Sequence, residues 1–340
     1  MQAPDNLLAD WQDKALCLQA EIKKVILGLD ESIEKLIIAL FARGHVLLEG
    51  NVGVGKTTLL RAVARTLGGA YERIEGTIDL MPNDLIYHTY IDETGKPRVD
   101  PGPLLKHGEQ LSVFFFNEVN RARPQVHSLL LRVMAERSVS AFSLEHRFPY
   151  LYVFADRNRV EKEETFEIPS AARDRFLMEL HVAIPDDLTV KTGLIFDPRF
   201  HNADSLINTL KEEVVPYRSI ETIAHLIQEY VKATPTLKRY ALDLWQATHT
   251  PQDFDIRLDG VNTQELIAAG ASTRGMSMLV RAARVRAWLK GRDYLVPEDL
   301  QHLFHEVIGH RIFLTPIYEL QRERLVRELT RAILNRVCAP

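Results

Sequence analysis

Gly50-Asn51-Val52-Gly53-Val54-Gly55-Lys56-Thr57 sets the frame for this 340-residue chain. The segment fits G-x-x-x-x-G-K-[ST] at every fixed position. The short apolar run Val46-Leu47-Leu48 precedes it, and helical patterning follows. Glycines let a backbone wrap a phosphate chain without Cβ clashes, so that successive N–H groups point inward and meet the positive end of the next helix. Lys56 would then reach the β- and γ-phosphates and the Thr57 hydroxyl would hold Mg²⁺, with Gly50, Asn51, Val52, Gly53, Val54, Gly55 and Thr58 completing the cradle. A glycine-rich turn that fits the pattern by chance is the plain alternative; a strand before it and a helix after it weigh against that.

Working outward, Val113-Phe114-Phe115-Phe116 and Leu151-Tyr152-Val153-Phe154 are further short apolar runs, as expected of strands buried on both faces of a parallel sheet. Toward the N-terminus, Leu7 to Ile26 carries helical periodicity, Gly28 breaks it, and Ile33, Leu36, Ile37 and Leu40 predict a helix over Glu31 to Arg43. Beyond Pro185 the pattern is almost purely helical: Ile220 to Val231, Leu237 to Thr248, Met276 to Lys290, Pro297 to Phe304 and Glu319 to Val337. The expected fold is an α/β P-loop sandwich with a parallel sheet, followed by an all-helical lid. Its boundaries fall at 1–184 for the core, 185–215 for a linker and 216–340 for the lid.

Composition narrows the function classes. The 42 Lys and Arg against 46 Asp and Glu give a net charge of -4, where a binder relying on counterion release from nucleic acid would be basic. No apolar stretch approaches the ~18 residues of a membrane span. The N-terminal Met1-Gln2-Ala3-Pro4-Asp5-Asn6 lacks a basic start and apolar core, and Cys17 and Cys338 lie far apart, so a cytoplasmic location and unpaired thiols are expected.

A phosphate-binding loop of this kind works with acidic groups at the end of a second strand. Phe114-Phe115-Phe116-Asn117-Glu118 supplies one, 62 positions after Lys56. Glu118 would polarise an attacking water; the alternative is a surface glutamate after a core strand.

Taken with Gly44-His45-Val46-Leu47-Leu48-Glu49-Gly50, Arg98-Val99-Asp100-Pro101-Gly102-Pro103, Glu118-Val119-Asn120-Arg121-Ala122, Asp174-Arg175-Phe176 and Gly270-Ala271-Ser272-Thr273-Arg274, the chain resembles the MoxR family of AAA+ ATPases, the helix-2-insert branch, over nearly its whole length. The resemblance implies ATP and Mg²⁺ as cofactors and further roles at matching positions. Asn158 looks like the sensor 1 residue, Arg175 like an arginine finger serving the neighbouring subunit, and Arg274 like sensor 2 on the lid. The segment around Ile26-Leu27-Gly28 matches the position that receives adenine. A trans finger is worth about 10³ to 10⁵ in rate, so the family pattern implies an oligomer, a hexameric ring, acting on protein clients and partnered with von Willebrand factor A domain proteins. Salt bridges or solvated faces are the bland readings of Arg175 and Arg274.

Two departures stand out. The family has Asp-Glu where this chain has Asn117-Glu118; the amide is a neutral acceptor toward the Mg²⁺ hydration shell. Slow turnover is therefore expected, or an ATP-gated assembly scaffold with negligible turnover. The second departure is Asp156-Arg157-Asn158-Arg159, where the family favours a neutral Thr-Gln-Asn-Pro; the added charges would form local pairs or alter coupling to the preceding hairpin.

Tyr90 to Val99 resembles the insert that marks the branch, and Val139 to Phe148 resembles the hairpin before sensor 1. In related motors such hairpins face the pore of the ring; the alternative is two surface loops at the sheet edge. His305 and His310 sit five apart, diverging by about 140° on a helix, and are set aside as a metal site.

Overall fold

The computed structural model describes residues 4–157 and 166–340. The chain divides into two compact units, Asp13–Phe176 with Leu180–Glu221, and residues 4–12 with Leu177–Glu179 and Thr222–Pro340. Helix α1 (Pro4–Lys23) contributes to both, and α2 (Asp30–Phe41) follows. The periodic positions of α2, Ile33, Leu36, Ile37 and Leu40, are wholly buried, as their i, i+3, i+4, i+7 spacing requires. Gly28, between the two helices, has φ +72° and packs so closely on Pro185 that a Cβ would lie 2.5 Å from the proline ring.

The first unit alternates strand and helix: β1 (His45–Glu49), α3 (Lys56–Leu67), β2 (Ala70–Glu75), α4 (Pro82–Ile86), the hairpin β3 (Tyr87–Ile91) and β4 (Pro97–Pro101), then β5 (Leu111–Asn117) and α5 (Pro124–Glu136). A second hairpin, β6 (Ser138–Ala141) and β7 (Leu144–Arg147), leads to β8 (Tyr152–Arg157), α6 (Ser170–Arg173) and β9 (Phe176–His181). The central sheet runs β2-β5-β8-β1-β9, and the pairs β2/β5, β5/β8 and β1/β8 are parallel. Every residue of β1 and β8, and all of β5 except Asn117, is buried. Leu47, Phe114, Phe116 and Val153 share one core with Val126, Leu130, Val133 and Met134 of α5. Phe115 and Phe154 alternate to the opposite face and are equally buried. Burying a Leu or Phe in such a layer contributes about 1.5–3 kcal/mol, so the apolar runs around the phosphate-binding segment make a stiff frame for it.

The chain leaves β1 through α3 and re-enters the sheet at the far edge, with β5 and β8 later inserted between. Such a switch in direction opens a crevice at the carboxyl ends of the strands.

Residues 185–215 contain α7 (Leu188–Phe196) and α8 (Ala203–Asn208). The second unit is built from α9 (Ile220–Tyr230), α10 (Pro235–His249), α11 (Thr263–Leu266), α12 (Thr273–Leu289), α13 (Pro297–Ile308), α14 (Pro316–Glu319) and α15 (Arg322–Arg336). It departs from a purely helical pattern in one short antiparallel ladder, β10 (Ile267–Ala269) with β11 (Phe313–Leu314), too brief for any periodicity to register. Trp288 Nε1 donates to the Leu8 carbonyl at 3.1 Å and Gln12 Nε2 to that of Leu289 at 3.2 Å, tying the first helix to α12. Asp299, fully buried in the first turn of α13, accepts from Arg286 Nη1 at 2.6 Å, from Arg292 Nη1 and Nη2 at 2.8 and 2.7 Å, and from the Val296 amide at 3.0 Å. His305 Nδ1 meets Thr330 Oγ1 and His310 Nδ1 meets the Glu306 carbonyl. Among the described residues, no helix is long and apolar enough to cross a membrane.

Candidate functional site

The phosphate-binding segment joins β1 to α3. Gly50 is required by crowding: a Cβ there would sit 2.2 Å from the Val182 carbonyl oxygen. Gly53 and Gly55 are required by conformation, with φ +81° and +88°, and nothing lies within 4 Å of where their Cβ atoms would be. The loop thus has open space beside both glycines. Asn51 and Val52 are exposed, Val54 is buried, and Thr57 and Thr58 are half-buried. Lys56 begins α3, whose first turn leaves N–H groups without intrahelical acceptors. These donors, the Lys56 ammonium and the Thr57 hydroxyl fit a polyphosphate carrying a divalent cation.

The Lys56 side chain is buried and makes two contacts, a 2.5 Å hydrogen bond to the Gly50 carbonyl and a 2.9 Å ion pair with Asp156 Oδ2. Asp156, 2% exposed near the end of β8, accepts through its other oxygen from the Glu118 amide at 2.5 Å. One carboxylate therefore touches both the lysine of the loop and the backbone of the glutamate that ends β5. Beside it, Arg157 Nη2 lies 3.3 Å from Glu49 Oε2, both side chains about nine-tenths buried. Of the charges that set this segment apart from its neutral family counterpart, Asp156 and Arg157, which lie among the described residues, are each matched by an opposite charge.

Asn117 is opposite Glu75 in the β2/β5 register, and its side-chain amide donates to the Glu75 carboxylate. Glu118 adopts a left-handed conformation, φ +52° and ψ +46°, and its carboxylate pairs with Arg121 at 3.0 Å. Two residues that sequence reasoning passed over hold this turn. Gly76 donates its N–H to the Asn117 carbonyl at 2.8 Å, and a Cβ on it would come within 2.1 Å of the Glu118 carbonyl oxygen. His127 of α5, 1% exposed, donates from Nε2 to the Val119 carbonyl at 2.7 Å, while its Nδ1 is buried without a partner. Burial pushes this imidazole below its usual pKa, the hydrogen bond to Val119 only partly opposing it. A glycine just after a strand is a signal the sequence does carry; the histidine, on an ordinary amphipathic helix, carries none.

Of the remaining expected residues, Ile26 is buried and Arg175, just before β9, donates to the Ala171 carbonyl at 3.0 Å. Arg274 is exposed in the first turn of α12, whose cap Ser272 accepts from the Gly275 amide at 3.0 Å; it belongs to the second unit. Asn158 lies outside the described residues. Both expected hairpins are present, the first longer than expected at Tyr87–Pro101. At its turn Asp92 accepts from the Thr94 and Lys96 amides, the Thr94 hydroxyl and Arg98, which lower its pKa to about 2. The second hairpin turns through Phe142 and Ser143, both at positive φ without glycine. The rings of Phe142 and Tyr87 stand 4.7 Å apart, so the tip of one hairpin rests on the base of the other. Ile91, Tyr90, Val99, Phe142 and Leu144 are exposed apolar residues of these two hairpins.

Residues 45–178 match the family model described as ATPase family associated with various cellular activities (AAA), and residues 261–334 match the AAA lid domain. Protein MoxR of Methylorubrum extorquens is 59% identical over 99% of this chain and 98% of its own length, and Protein MoxR of Paracoccus denitrificans 51% identical over 99% of each. Chaperone MoxR1 of Mycobacterium tuberculosis is 31% identical over 93% of this chain and 79% of its own length. A crystal structure from Cytophaga hutchinsonii, described as an ATPase, superposes with a TM-score of 0.81 at 28% identity, covering 98% of this chain and 97% of its own. Its parallel sheet, its phosphate-binding loop and relatives of this identity along its whole length place the chain in the MoxR family of AAA+ ATPases.

Proposed function

We propose that the chain binds and hydrolyses ATP with Mg²⁺ in an oligomeric ring, a hexamer, and uses the cycle to remodel or assemble protein clients as a chaperone does. The observation that supports this reading is the Asp156 carboxylate held between Lys56 and the Glu118 amide, which brings Lys56 and the backbone of Glu118 close together. The likeness to Chaperone MoxR1 supports the chaperone-like part.

In this reading the amides of Gly53 to Thr58 and the Lys56 ammonium bind the phosphates, and the Thr57 hydroxyl holds the cation. Charge neutralisation on the β- and γ-oxygens is the chemistry Mg²⁺ supplies when bound. Glu118 orients and deprotonates water, Asn158 holds it, Arg175 serves the neighbouring subunit, Arg274 contacts nucleotide as sensor 2, and the adenine rests near Ile26. The exposed apolar side chains of the two hairpins suit contact with unfolded or loosely packed clients, von Willebrand factor A domain proteins among the partners that the family implies. A cytoplasmic location and no role for nucleic acid complete the proposal, in keeping with the net charge of -4.

A second reading, an ATP-gated assembly scaffold with negligible turnover, rests on Asn117, a neutral amide engaged with Glu75. Phosphate release and molecular mass, measured together with and without ATP on the wild type and Arg175→Ala, separate the two. Turnover that is lost in the arginine variant supports the ring enzyme. Nucleotide-dependent assembly without phosphate release supports the scaffold.

A further inference from the structure

We propose that Asp156 does in this chain what the aspartate missing at Asn117 does elsewhere in the family: it is the carboxylate that holds the hydration shell of the nucleotide's Mg²⁺ and anchors Lys56, transposed sideways by one strand. The inference rests on the ATP reading above and removes the difficulty that Asn117 raises for it.

The register of the sheet makes the transposition possible. In the β5/β8 ladder Phe115 pairs with Phe154 and Phe116 with Ala155, and Asn117 and Asp156 are the next residues along the two strands. Side chains alternate along each strand, so residues one step beyond a pair direct their side chains to the same face. The two residues therefore offer their polar groups to one region at the carboxyl end of the sheet, one strand spacing of about 4.8 Å apart. An aspartate lost from one position and gained at the other keeps one carboxylate at that end of the sheet.

The surroundings of the two side chains differ in the direction the inference needs. Asn117 is turned to the edge side, its amide given to Glu75 of β2. Asp156 faces the loop, with one oxygen 2.9 Å from Lys56 Nζ and the other on the Glu118 amide. A carboxylate offers about four lone-pair sites, and two protein donors leave it capacity to accept from metal-bound water while still holding the lysine. Burial at 2% exposure keeps bulk water from competing for it. A carboxylate that served only to neutralise Lys56 would need neither the second contact with Glu118 nor the place beside Asn117.

The test is the affinity for a fluorescent ATP analogue, measured in Mg²⁺ and again in EDTA, on wild type, Asp156→Asn, Asn117→Asp and the double variant. Second-sphere partners of a metal are typically worth about 10- to 100-fold in its affinity. Asp156→Asn is expected to lose about 10-fold or more of the Mg²⁺-dependent gain with little change in EDTA, and the double variant to recover most of it. Asn117→Asp alone, which keeps the Lys56–Asp156 pair and so tests the idea even if Asp156→Asn folds poorly, is expected to change the gain by less than about threefold. An unchanged gain in Asp156→Asn, an equal loss in EDTA, or a tenfold increase in Asn117→Asp overturns the proposal. Wild type that binds no nucleotide in either buffer overturns the ATP reading itself, whereas wild type that binds normally while Asp156→Asn keeps its metal dependence overturns only this inference.

Discussion

Among the described residues each unit buries one aspartate among cations, and the two are satisfied very differently. In the helical unit Asp299 is enclosed by two arginines and caps its own helix through the Val296 amide, four hydrogen bonds on two oxygens. In the α/β unit Asp156 has one lysine and one amide, at the mouth of a loop that is open beside two of its glycines. A fully saturated carboxylate can only hold its neighbours in place. One with acceptor capacity left, beside a phosphate-binding lysine, can take part in binding. The difference teaches that burial of a charge does not by itself separate architecture from chemistry; the count of its partners does.

The strongest way to sharpen that contrast is at the residue Asp156 holds. Glu118→Gln keeps the shape of the turn and removes the proposed base, so turnover should fall about 10²- to 10⁴-fold while the melting temperature stays close to wild type, as phosphate-release and thermal-denaturation measurements will show. The mirror image is Asp299→Ala, which strands two partly buried guanidinium groups and removes a cap. It should cost about 3–5 kcal/mol in denaturant unfolding and leave nucleotide affinity per folded molecule unchanged. If Asp156→Asn destabilises the protein as much as Asp299→Ala does, the distinction between the two sites breaks.

Smaller effects probe the support around Glu118. Gly76→Ala forces a methyl group toward a carbonyl oxygen 2.1 Å away, so the turn must shift. We expect a stability loss of about 1–3 kcal/mol together with a drop in turnover, a combination that neither Glu118→Gln nor Asp299→Ala should give. The smallest effect concerns His127. Its folded pKa is lowered, so near pH 6.5 and below the unfolded chain takes up a proton that the folded chain resists. The stability it contributes is present above that value and declines as pH falls. Protonation would also set an N–H on the buried Nδ1, which has no partner. Thermal melts at pH 7 and pH 5 should differ by about 2–4 °C from this group, the equivalent of about 1 kcal/mol, and His127→Phe should flatten that difference.

Much of the frame was legible in the residues because it is written in local patterns. The strands β1, β5 and β8 are apolar runs, and the loop between β1 and α3 announces itself by glycine spacing. The edge strand β2 escaped notice because Glu72, Arg73 and Glu75 interrupt its apolar character, as befits a strand half in solvent. The turn at Phe142-Ser143 escaped because a left-handed turn without glycine leaves no mark, whereas Thr94-Gly95-Lys96 does. Asp156 was visible as an oddity, but its partners stand 100 and 38 positions away along the chain. Only the lateral pairing of the strands brings them to it.

That lateral pairing bears on how such proteins are recognised at all. A parallel sheet is a two-dimensional lattice, and positions that face each other across a ladder can trade a functional group without moving it far in space. A signature written along one strand is a single row of that lattice. A search that insists on aspartate immediately before Glu118 would discard this chain as a degenerate relative; one that accepts the group on either of two paired rows would keep it. For sheets that carry their chemistry at the strand ends, the unit to compare among relatives is the rung, not the string.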